Sequence, residues 1–262
     1  MNNFISANRD EEKSWMTGKD WLVWKTDKCF KSADCITHGG SHFLEMVIPF
    51  IKIQIRIRMG NIVGISQRIS IHIIEQAMDA ALKGTFTTEQ AADLAATQFN
   101  GANRIKKAQA LIGHFTLRNP LFAFIKEHEE EYRMAIHHKD DRTAIFVALI
   151  NATYEFGYDI TSILGKFFHV QDEVTTKLLT TRLATKYSNN RSLPNGMNSI
   201  LPMYIEAGLI NRPQIGVYTR NTLSLLSSFA KQLYEKSFAM HNPMLEGDAI
   251  SEIEHPYFEF IK

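Results

Sequence analysis

The chain has 262 residues, with 29 Lys and Arg against 28 Asp and Glu, so its formal net charge is +1. Hydrophobic residues make up 45% and charged residues 22%, values that exclude a disordered chain, while 14 glycines and 7 prolines exclude collagen-like and low-complexity sequence. Two cysteines exclude a small disulfide scaffold, and the length suits one or two domains with sizeable cores.

The first residues are polar and show no apolar stretch of the signal-peptide type. No window reaches ~18 uncharged apolar residues. The nearest, 43–57, contains Glu45, Lys52, Gln54 and Arg56. The expected location is the cytoplasm, without membrane contact. In 51–58, isoleucines at 51, 53, 55 and 57 alternate with Lys52, Gln54, Arg56 and Arg58, which predicts a strand with one apolar face. Residues 21–24 are a candidate partner strand. The change in character after Gly60 also admits a second reading, in which Met59 is the natural start.

From Gln67 onward the pattern is helical. Ile69, Ile73, Ile74, Ala77, Ala81 and Leu82 mark one face, and Gly84 ends it. Thr87 with Gln90 fits a capping box at the start of a helix reaching about Phe99. Asn100 and Gly101 break it, and the next helix covers 102–117. Asn119 and Pro120 predict the start of another, ending near His137. Asp140 and Asp141 predict the cap of a helix over 142–156, closed by Gly157. A short helix over 159–168 follows. Phe115, Phe122, Phe124, Phe146, Phe156, Phe167 and Phe168 are expected in the core.

Residues 172–220 have the order helix, turn, helix, hairpin. Asp172 is the expected cap of the first helix, 187–192 are a polar turn, and the second helix runs from Leu193 to Ala207. Pro194 suits its first turn, Pro202 is expected to bend it, and Gly208 stops it. Two short strands are expected around a turn at 211–213. This is the winged form of the helix-turn-helix. A long helix over 221–239 and an irregular acidic tail over 242–262 complete the chain. The overall expectation is a mainly α protein. A small β-containing segment (1–65) leads into a multi-helix body (66–170), the winged-helix module (171–220), and the terminal helix with its tail (221–262).

Charge concentrates in that module. Lys177, Arg182, Lys186, Arg191, Arg212 and Arg220 face one acid, Glu206, giving the stretch +5 and leaving −4 for the rest. A nearly neutral chain with one basic module suggests a polyanion footprint. Arg191, Asn195 and Asn198 are the expected groove-facing residues, with Asn189 and Asn190 beside them. Lys186, Arg212 and Arg220 are the expected phosphate contacts, and Arg104 and Lys107 form a second basic patch that extends them or is a solvated helix face. The expected partner is double-stranded DNA. The alternative is a protein-docking adaptor, in which the asparagines only shape turns and caps.

Other chemistry is weak. Cys29, Cys35, His38 and His42 supply four zinc-type ligands in 14 residues, but not at finger spacing, so reduced cysteines and loop histidines are expected instead. The acids at 127–131 with His128, His137 and His138 contain no HExxH. Phosphate-binding glycine loops and a GxSxG elbow are missing. A metal-dependent nuclease would need carboxylates near the basic face, which has only Glu206. No cofactor and no catalytic residue are expected.

The helical body, the segment Asn103 to Lys107, and the module ending in Glu206 to Ile210 resemble the BrxA family of bacteriophage-exclusion systems. The likeness covers about 68–210, whereas 1–65 and the helix after Arg220 depart from it. It implies a bacterial, non-enzymatic DNA-binding component of a phage-defence locus, with NusB-like and winged-helix parts and other protein subunits as partners.

Overall fold

A computed structural model describes residues 62–188, 190–243 and 254–262. The expected strands at 51–58 and 21–24, the ligands Cys29, Cys35, His38 and His42, and Asn189 lie outside the described residues. A lead-in segment without regular secondary structure, turned at Gly64, buries Val63, Ile65 and Ile69 before the first helix, α1 (Ile71–Leu82). α2 (Thr88–Gln98) starts at the expected cap, with Thr87 Oγ1 accepting from the Gln90 amide at 3.2 Å, but the reciprocal half of the capping box is not made: Gln90 Oε1 is buried with no partner among the described residues. α3 is Ala102–Phe115.

The single helix expected from Asn119 to His137 is two, α4 (Phe122–Glu127) and α5 (Glu129–Ala135). His128 breaks them with non-helical φ −114°, ψ 41°. Asn119 is a buried pin rather than a helix start. Its Nδ2 donates to Leu149 O at 3.0 Å and Thr153 Oγ1 at 2.9 Å, and its Oδ1 accepts from the Leu121 amide.

α6 (Lys139–Thr153) is the centre of the core of the described residues, fully buried from Ala144 to Ile150. A helix apolar all round belongs inside. It packs against α3, α7 (Glu155–Phe168), α9 and α10, introduced below. Gly157 does not close α6, because Tyr154, in an extended conformation, separates α6 from α7. Gly157 lies in the first turn of α7, where a β-carbon would stand 2.9 Å from Asn151 Oδ1. Of the expected core phenylalanines, 115, 146, 156 and 168 are buried, and 122, 124 and 167 pack against the core half-buried.

Next come β1 (Glu173–Thr175), α8 (Thr176–Lys186), α9 (Leu193–Ala207), β2 (Ile210–Gln214) and β3 (Val217–Arg220). The strands form one antiparallel sheet in the order β1-β3-β2. Thr175, not Asp172, caps α8, its Oγ1 accepting from the Leu178 amide at 3.2 Å. α9 has the predicted bounds. The turn between β2 and β3 is Ile215 and Gly216, not 211–213, because Gln214 pairs with Val217. Pro213 is tolerated because β2 is an edge strand with an irregular register there.

The last helix, α10, starts at Ser228 rather than 221 and ends at Ala239. Asp140 Oδ2 accepts from the Ser224 amide, and Asp141 Oδ1 from the amides of Leu226 and Ser227, so this backbone bonds to carboxylates instead of its own carbonyls. The irregular tail expected over 242–262 is corrected over 254–262, while 244–253 lie outside the described residues. Residues 254–262 close the core, with Tyr257 and Phe260 fully buried and Pro256–Phe258 in a 3-10 turn. The Leu223 amide donates to Phe260 O at 2.7 Å, and the Lys262 amide to Leu223 O at 3.0 Å.

A polar network ties these layers together inside the core. Asn151 Nδ2 donates to Tyr257 Oη at 2.9 Å and Thr161 Oγ1 at 3.1 Å, and its Oδ1 accepts from Tyr204 Oη at 2.6 Å. Tyr257 Oη and Ser237 Oγ are 2.6 Å apart. One side chain of α6 thus joins α7, α9 and the terminal segment, and Tyr257 extends the link to α10. Among the described residues no helix is long and apolar enough to cross a membrane.

Candidate nucleic-acid interface

The front of α9 is shaped by what its back buries. Leu193, Met197, Ile200, Leu201 and Tyr204 face inward, which leaves Asn195 and Asn198 exposed on the other side. Three residues apart, they share a helix face. Among the described residues neither side-chain amide has a hydrogen-bond partner. Arg191 is exposed just before the helix and makes no ion pair among the described residues. Asn190 has a different place: its Oδ1 accepts from the Ser192 amide at 2.9 Å, closing the turn into α9.

Asn195 and Asn198 line an open depression of about 260 Å³ with Ser66, Arg68, Phe99 and Arg104. The lead-in segment, the end of α2 and the first turn of α3 supply the other wall. Arg104 lies 5.5 Å from the Phe99 ring centroid, and among the described residues no carboxylate neutralises it. The first turn of α3 holds no acid, and Lys107 is exposed further along it. Gln67 Nε2 holds the Arg104 carbonyl at 3.2 Å, and Gln98 Nε2 the Arg68 carbonyl at 3.1 Å, so the glutamines fix the backbone of the arginines.

Glu206, the one acid of the basic stretch, is already occupied. It accepts from Ser70 Oγ at 2.6 Å, the Ile71 amide at 2.9 Å and Arg68 Nη2 at 2.7 Å. It therefore caps α1 from another layer. Burial pushes its carboxyl up, but the hydrogen bonds from Ser70 and Arg68, with the Arg68 charge, more than reverse this, and its pKa stands below the usual glutamate range. A depressed acid stabilises the fold above its unfolded pKa, and the contribution is lost as pH falls through the folded value. Glu206→Gln is expected to cost about 1–3 kcal/mol at neutral pH, the range for hydrogen bonds to a charged group. The gap to wild type should narrow as pH falls through the glutamate range. Urea unfolding at neutral and acid pH checks this, and a gap constant with pH would contradict it.

The expected phosphate residues divide. Arg212 is exposed on β2 and makes no ion pair among the described residues. Arg220 pairs with Glu259 of the terminal segment. Lys186 lies 3.0 Å from Glu155 Oε1 and 2.7 Å from an Asp159 oxygen, and Tyr187 Oη donates to the same carboxylate. Burial lowers the Lys186 pKa, and the bonds and charges of Asp159 and Glu155 more than offset it, so the ammonium is held above the usual lysine range. Arg104, Asn195 and Asn198 share one surface, whereas Lys186 and Arg220 serve the fold. Sequence reading missed Arg68, which has no helical spacing to mark it and reaches the depression only through tertiary packing. Among the described residues no group of three or more His, Cys, Asp or Glu is placed to hold a metal ion.

No protein-family model, curated protein or solved structure matches the chain.

Proposed function

We propose that β1, α8, α9, β2 and β3 act as a winged helix that binds duplex DNA, with α9 as the helix presented to the groove. The order of elements and the strand order β1-β3-β2 support this reading. The observation that carries it is the donor set of the depression. Arg104, Asn195 and Asn198 come from two separate parts of the chain, face solvent together, and have no acid to satisfy them. Arginine offers phosphate a fixed fork of donors, and asparagine matches phosphate oxygens or an adenine edge. Arg191 and Lys107 extend the cationic surface, and Arg212 supplies a contact from the hairpin. Membership in a phage-defence system belongs to the same proposal and is supported by the BrxA-like order of elements alone. The reading is non-enzymatic and cytoplasmic.

The test is fluorescence anisotropy with a labelled duplex, titrated from low to physiological salt. Affinity should fall steeply with salt. Arg212→Ala should weaken binding to all sequences alike and reduce the slope of log K against log salt by about one. An unchanged slope would remove Arg212 from the interface. No binding at low salt would overturn the proposal. That result would favour the second reading, an adaptor that docks other subunits of a complex. Its support is that Lys186 and Arg220 are already engaged by the protein's own carboxylates.

A further inference from the structure

We propose that Ile215 is an apolar wedge that enters a base-pair step of the bound duplex and kinks it. The proposal rests on the DNA-binding reading above. Ile215 and Gly216 alone make the turn of the hairpin, since Gln214 pairs with Val217. Two-residue turns favour glycine, asparagine and aspartate, and a β-branched apolar residue is among the least suited to one. Gly216 meets the backbone demand with φ +81°. Its carbonyl accepts from the Thr176 amide at 2.8 Å and Thr176 Oγ1 at 3.3 Å, which ties the turn to the start of α8. Ile215 therefore stands on a braced tip. It is 90% exposed, the most exposed large hydrophobic side chain among the described residues.

Nothing among the described residues calls for isoleucine there. Its neighbours indicate the occupant. Lys177 follows the Thr176 that holds the turn, and Arg212 lies three residues before Ile215 on β2. Both are exposed, and neither has an ion-pair partner among the described residues. An apolar protein pocket closing over Ile215 would strip water from these two cations without compensation. A duplex groove offers phosphates to the cations and stacked bases to the tip. Isoleucine and leucine side chains inserted between base steps unstack them and bend the duplex by about 20–90°. Pyrimidine–purine steps yield most easily, so TA and CA steps are the expected sites.

The experiment uses the full chain and a duplex of about 24 base pairs rich in TA and CA steps, end-labelled for energy transfer. Anisotropy and transfer efficiency are read in the same samples. Wild type should bind and raise the transfer. Ile215→Asn, which suits the turn, should bind within about tenfold of wild type, because the phosphate contacts remain. It should leave the duplex straight, while Ile215→Leu should restore the bend. Equal bending by wild type and Ile215→Asn would overturn the wedge. A straight duplex under bound wild type would also overturn it and make Ile215 a protein contact. Absence of wild-type binding would show in the anisotropy and would sink the DNA-binding reading itself.

Discussion

Replacing Tyr257 with alanine is expected to lower the free energy of unfolding by about 3–5 kcal/mol, the range for large aromatic truncations in a core. The ring is fully buried, with its centroid 4.6 Å from that of Tyr234, 5.2 Å from Tyr158 and 5.6 Å from Phe238. Its hydroxyl serves Asn151 and Ser237, and its carbonyl accepts from Tyr234 Oη at 2.9 Å. Truncation opens a cavity and strands polar groups at once. Tyr257→Phe keeps the ring and removes only the hydroxyl, so it should cost about 1–3 kcal/mol. Equilibrium urea unfolding of both variants separates packing from hydrogen bonding. A loss under about 1 kcal/mol for the alanine variant would contradict the closure of the core by residues 254–262.

The double substitution Arg104→Glu and Arg191→Glu is expected to reduce DNA affinity at physiological salt by about 100-fold or more. Each change removes a cation and installs an anion at a solvent-facing position. The salt slope should fall by about two. Neither arginine pairs with a carboxylate among the described residues, so the thermal midpoint should barely move. The double substitution Lys126→Glu and Lys166→Glu, two exposed changes on α4 and α7 with the same change in net charge, controls for overall charge and should leave binding near wild type. Equal losses in the control and the arginine variant would mean that net charge, not this surface, attracts the polyanion.

Much of the helical architecture was legible because its signals are local. Pro194 and Gly208 bracket α9, and Thr87 opens α2. Errors arose where a distant group took over the backbone. The apolar spacing after Asn221 continues a helical pattern, yet Asp140 and Asp141, some 85 residues away, claim the amides of Ser224, Leu226 and Ser227. Gly157 carries the composition of a stop, but it is small because Asn151 presses on it. The five acids of 242–262 outweighed Tyr257 and Phe260 in an average over the segment, and burial acts residue by residue. For the candidate interface, composition pointed to Asn195, Asn198 and Arg104 separately. Their meeting, and the place of Arg68 beside them, depends on how the tertiary fold brings the lead-in segment and the start of α3 opposite α9, which no spacing encodes.

The link between Asn151 and Tyr257 also sets a clock. The two residues are 106 positions apart, so at about 5–20 residues per second a ribosome needs on the order of 5–20 s to deliver the second after the first. Throughout that interval the Asn151 amide in the last turn of α6 lacks its Tyr257 partner, and the groove that Tyr257 and Phe260 will fill stays open. The nascent chain can form its early helices, but it cannot seal its interior until residue 260 emerges. Newly made protein should therefore pass through a sticky, chaperone-dependent stage until these residues are made, and chains released before Tyr257 should be cleared rather than accumulate.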